Sequence, residues 1–132
     1  MARRRGARSA ALVVIAVGAL ASACGTPSGD ALAQRACAHV DRSLHLYREA
    51  QQTRDPRQAL AWRNQALDEL RAALPLAAQA TSSSNGQWVA LETTISESAR
   101  VDEGELLVAL RQECAAVDNQ QGETAPGAPP AP

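Results

Sequence analysis

The sequence predicts an all-α fold, an antiparallel up-down four-helix bundle. Three observations carry that expectation. The apolar content is mostly Leu and Ala, with no Phe, one Tyr and two Trp, so the β-branched and aromatic runs that mark strands are missing. Apolar residues recur at the three- and four-residue spacing of a helix face in four separate stretches. The connections between those stretches are short, which makes consecutive helices antiparallel neighbours.

The first helix is expected to start at Ser28–Asp30, with Asp30 as cap, and to run to about Gln52. Its stripe is Ala33, Cys37, Val40, Leu44, Tyr47 and Gln51. Asp55-Pro56 restarts the chain, an acid cap followed by a proline at the first helical position. The second stripe is Leu60, Leu67, Leu70, Leu74 and Ala77 or Ala78. Pro75 falls inside it, and a kink with helix resuming to about Ala80 is expected. Thr81–Gly86 reads as a polar turn, and Ser84 with Gln87 has capping-box spacing before a short third helix carrying Trp88, Leu91 and Ile95. Asp102 with Glu105 is a second capping box, and Leu107, Leu110, Cys114 and Val117 form the last stripe. From Asn119 the chain turns to Gln, Gly, Pro and Ala and reads as a disordered tail.

The N-terminus has a different character. Arg3, Arg4, Arg5 and Arg8 precede an uncharged run, Ala10–Ala23, which ends in Leu20-Ala21-Ser22-Ala23-Cys24. Basic, apolar and small-residue segments in that order make a secretory signal. The apolar run is about 15 residues, short of the roughly 20 that cross a bilayer. The small residues before Cys24 resemble the lipobox of bacterial lipoproteins, with Ala21 where Leu is usual. That resemblance implies a diacylglyceryl group on the Cys24 thiol, cleavage before Cys24, and fatty acyl chains such as palmitate at the new N-terminus. The expected organisation is a signal peptide at 1–23, a lipidated tether at 24–29, a helical bundle domain at 30–118 and the tail at 119–132. The tether reaches about 20 Å at most. The expected place is the extracytoplasmic face of the cell membrane.

With Cys24 given to lipid, Cys37 and Cys114 remain as an even pair in an oxidising compartment. A disulfide between them is the expectation, and two buried thiols are the alternative. Neither has a second ligand at zinc-site spacing. In an up-down bundle the start of the first helix meets the end of the last, so topology and cysteine positions agree.

The chain as a whole carries a net charge of −1. Four of the thirteen basic residues precede Cys24; the nine that follow stand against fourteen acids, a net charge of −5. No basic face for nucleic acid is expected. His39 and His45 are six apart, about 120° around a helix, and cannot share a metal from one face. Both are expected at the surface, and a proton-linked or metal role with an acid from another helix is the alternative. Asp68-Glu69 and Asp102, Glu103 and Glu105 are expected as solvated or helix-start acids. Ser82, Ser83 and Ser84 lack a GxSxG setting, and no glycine-rich phosphate loop occurs. Trp88 is expected in the core. Trp62 is a possible partner contact, or a boundary residue against a neighbouring helix. No cofactor and no enzymatic activity are expected.

Beyond the lipobox, Ala36-Cys37-Ala38-His39-Val40-Asp41-Arg42-Ser43-Leu44 and Leu110-Arg111-Gln112-Glu113-Cys114-Ala115 resemble a group of small actinobacterial lipoproteins of uncharacterised function. The resemblance implies location and kinship, not chemistry. The expected role is non-enzymatic: a membrane-anchored interaction or scaffold domain meeting another envelope protein. The second expectation is a carrier for a small apolar ligand between the helices.

Overall fold

The computed structural model describes residues 25–124. The signal-like segment, Cys24 and the last eight residues lie outside them. Helix covers 83% of the described residues, in four elements with no strand. These are α1 (Gly29–Gln52), α2 (Pro56–Ser83), α3 (Val89–Glu97) and α4 (Glu103–Thr124). α1 packs on α2 and α4, and α3 packs on the same two helices.

The cap of α1 differs from the expectation. Ser28, not Asp30, holds the first turn, its hydroxyl accepting the Ala31 amide at 3.2 Å. Asp30 instead accepts the indole N–H of Trp88 at 3.1 Å, a long-range use that no local pattern marks. Gly29 is required by a close approach: a Cβ there would lie 2.8 Å from Ser84 Cβ. At the other end of α1 the chain leaves through an extended Thr53, whose amide bonds to the Glu49 carbonyl.

Asp55 and Pro56 open α2 as expected, with Asp55 accepting from the Arg57 and Gln58 amides. The apolar face is rotated from the predicted leucine stripe. Ala66, Leu70, Ala73, Ala77 and Ala80 are the buried positions, Leu67 and Leu74 are partly buried, and Leu60 is 60% exposed. Alanines on α2 meet Ala33 and Ala36 of α1 in the same core, so two backbones approach closely where leucines would hold them apart. α2 also continues through Pro75 to Ser83, past the expected Ala80. Pro75 is exposed, so the bond it forfeits lies on the solvent side, where water can take the freed carbonyl.

Asn85 and Gly86 both take positive φ, 53° and 86°, and the Gly86 amide bonds to the Thr81 carbonyl, turning the chain. The Ser84–Gln87 capping box does not form. Ser84 donates to the Ala80 carbonyl at 2.7 Å, Trp88 takes the cap position of α3, and the Gln87 amide donates to Gln120. Trp88, Leu91 and Ile95 are buried as expected. Asp102 caps α4 through the Gly104 amide at 2.8 Å. α4 then runs to Thr124 rather than stopping before Asn119. Val117 is buried, and the Gln87–Gln120 bond ties the extra turn back to the start of α3.

The core joins all four helices through Leu32, Val40, Leu44, Leu70, Trp88, Leu91, Ile95, Leu110 and Val117. Cys37 and Cys114 are bonded, with Cα atoms 5.5 Å apart and 77 residues between them. Loop-closure entropy for that separation gives about 4.5 kcal/mol as an upper figure.

Candidate functional site: a buried carboxyl at the start of the last helix

α1 carries one polar residue inside its apolar face. Ser43 is fully buried between Val40 and Tyr47 in the register that also buries Ala36 and Ala50. Its hydroxyl lies 2.8 Å from the Ala66 carbonyl of α2 and 2.6 Å from Glu103 Oε1 of α4. Glu103 is only 4% exposed, although it was expected at a solvated helix start. Thus one hydroxyl binds three helices, and it meets two oxygen atoms.

Glu103 lines a cleft of about 140 Å³ with Tyr47, Arg63, Leu67, Ser98, Val101 and Asp102. The Tyr47 hydroxyl donates to Asp102 Oδ1 at 3.2 Å, the same oxygen that caps α4. Gly104 lets the helix approach this ring, since a Cβ there would overlap the Tyr47 hydroxyl. Burial pushes the Glu103 carboxyl above its ordinary range, and the neighbouring Asp102 charge adds to this; the Ser43 bond acts in the opposite sense. The helix start favours an anion by roughly 0.3–1 kcal/mol at an exposed site. The effective penalty for burying an ion is several kcal/mol, so burial wins. Tyr47 is also pushed up, by burial first and then by Asp102.

A second polar cluster lies one turn earlier on α1. His39 donates from Nδ1 to Glu69 Oε2 of α2 at 2.6 Å, and Arg42 donates from Nε to the same oxygen at 3.0 Å. A terminal nitrogen of Arg42 also lies 2.8 Å from His39 Nδ1. A ring nitrogen carries a proton or a lone pair, so donation to the carboxylate makes that approach a contact and not a hydrogen bond. The His39 bond, helped by Arg42, holds the Glu69 carboxyl below its ordinary range. His39 is therefore half-buried and engaged, not the free surface histidine the spacing suggested. His45 is exposed beside an open cleft with Asp41, Arg42, Leu46 and Glu69.

Of the residues singled out in the sequence, Cys37 and Cys114 are brought together and Trp62 is half-buried on α2. Cys24 lies outside the described residues. Among the described residues no cluster of three or more His, Cys, Asp or Glu is arranged to hold a metal. Among them, too, no helix is long and apolar enough to cross a membrane. Sequence reading missed Ser43 and expected Glu103 in solvent, where the structure buries it. The available signal was Ser43 itself, a polar residue in the buried register of α1.

Comparison with known proteins finds no counterpart: no protein family, no curated protein and no solved structure matches this chain.

Proposed function

We propose that this chain is a lipid-anchored protein of the extracytoplasmic membrane face. Its disulfide-locked bundle gives another envelope protein a rigid, non-enzymatic surface. The observation that carries this reading is the pairing of thiols. Cys37 and Cys114 are joined, which leaves Cys24 as the remaining one of three cysteines, at the end of a signal-like segment. The up-down antiparallel arrangement is part of the same proposal. It is supported by paired positions: Cys37 with Cys114 and Tyr47 against Gly104 between α1 and α4, His39 with Glu69 and Ser43 with Ala66 between α1 and α2. In each set the numbers rise on one helix as they fall on the other. The apolar-carrier reading stands second: a cleft of about 220 Å³ between α2 and α3 is lined by Leu67, Leu70, Leu74 and Ile95, beside a core of buried Ala, Leu and Trp side chains.

The test is mass spectrometry of membrane-extracted protein, followed by photo-crosslinking from position 62. The proposal expects an acylated N-terminal Cys24, no free thiol, and one reproducible envelope protein in the crosslink. A retained signal segment contradicts the anchor, two free thiols contradict the disulfide lock, and turnover of a substrate lost on a point substitution contradicts the non-enzymatic role.

A further inference from the structure

A serine hydroxyl has one proton. Ser43 Oγ stands within hydrogen-bond distance of two oxygens, the Ala66 carbonyl and Glu103 Oε1. If Glu103 is ionised, both are acceptors, and Ser43 can satisfy only one. If Glu103 is neutral, both bonds form in one direction: Glu103 donates to Ser43, and Ser43 donates to Ala66. We infer that Glu103 is a proton-operated latch, closed as the neutral acid across α4, α1 and α2 and released when the acid ionises.

The surroundings fit a two-state device. Glu103 is the first residue of α4 and follows the short turn from α3, so it is placed where a helix start can move without unwinding the bundle. The charged and titratable groups facing it are Tyr47 from α1, Arg63 from α2 and Asp102 from the turn. Asp102 opposes ionisation. Arg63 lines the same cleft but forms no ion pair within 4 Å among the described residues, so it leaves the carboxyl uncompensated where it is closed. Ionisation drives the carboxylate toward the cleft mouth, where water and Arg63 can reach it, and Ser43 keeps its bond to Ala66. The first turn of α4 then loosens from Tyr47 and Ser43. The Cys37–Cys114 bridge holds the far half of α4 to α1 throughout, so opening is confined to the α3–α4 junction.

The experiment uses the disulfide-bonded protein in two readings. Isotope-edited infrared spectroscopy of the wild type reports whether a protonated glutamic acid persists above the ordinary carboxylate range. Amide hydrogen exchange, corrected for intrinsic rate, reports protection at Leu106 and Leu107 against Val40 and Leu70 from about pH 5 to about pH 8. The latch expects a protonated glutamic acid in the lower part of that window. It also expects a loss of protection confined to Leu106 and Leu107 as pH rises, a loss that Glu103→Gln abolishes because its amide keeps donating to Ser43. No protonated acid in the wild type, protection at Leu106 and Leu107 independent of pH, or an equal fall at Val40 and Leu70 overturns it. The infrared reading needs no variant, so it decides even if Glu103→Gln folds poorly.

Discussion

Glu69 and Glu103 both bond to side chains of α1, and those side chains, His39 and Ser43, stand one helical turn apart. Their carboxyls are nevertheless driven in opposite directions, Glu69 down and Glu103 up. The difference is the charge of the partner and the access of water. Glu69 is part-exposed and receives donors from His39 and Arg42. Glu103 is enclosed and meets one neutral hydroxyl that the Ala66 carbonyl shares. A hydrogen bond to a carboxylate therefore does not fix the direction of its shift; the balance with desolvation does.

The largest break in this comparison comes from cutting the bridge. Replacing Cys37 and Cys114 with Ala removes the covalent tie between α4 and α1, with an expected loss of about 2–4 kcal/mol in denaturant unfolding. The Glu103 titration then moves toward the ordinary range. The Glu69 titration, which depends on α1 and α2 alone, stays low. Ser43→Ala is next. It leaves the closed, neutral Glu103 without its Ser43 partner, and a cost of about 1–3 kcal/mol is expected in acid, where the latch is closed. An unchanged unfolding midpoint would remove Ser43 from the account.

Glu103→Gln sharpens the contrast in sign. A carboxyl raised in the folded state binds a proton that the unfolded chain has released, so stability is full at low pH and falls as pH rises through the folded value. Gln never ionises. The variant is expected to gain on the order of 1 kcal/mol at neutral pH, the scale of one buried hydrogen bond, and to match the wild type below pH 4.5, the ordinary glutamate value. Glu69→Gln runs the other way and is smallest. A lowered carboxylate contributes stability above pH 4.5, which is lost as pH falls through the folded value. The expected cost is at most about 1 kcal/mol at neutral pH, and it vanishes in acid. Thermal unfolding of both variants across one pH series reads the two signs together.

Much of this frame is legible in the sequence because it is local. Asp55-Pro56, the Asp102 cap and the positions of Cys37 and Cys114 follow from spacing and turn chemistry. The register of α2 is not legible, because leucine is the stronger apolar signal while close helix approach selects Ala66, Ala73, Ala77 and Ala80. Asp30 has the form of a cap, yet its partner Trp88 is 58 residues away. Glu103 likewise has the form of a helix-start acid, and only its contact with Ser43, 60 residues earlier, makes it a buried group. Separations of that kind are set by how helices pack, which periodicity within one helix does not encode.

The most direct test of the opposed carboxyls is a carbon-detected NMR titration of the side chains of Glu69 and Glu103 in the disulfide-bonded protein. The account predicts a Glu103 midpoint above 4.5 and a Glu69 midpoint below it. Midpoints that coincide, or that fall in the reverse order, contradict it.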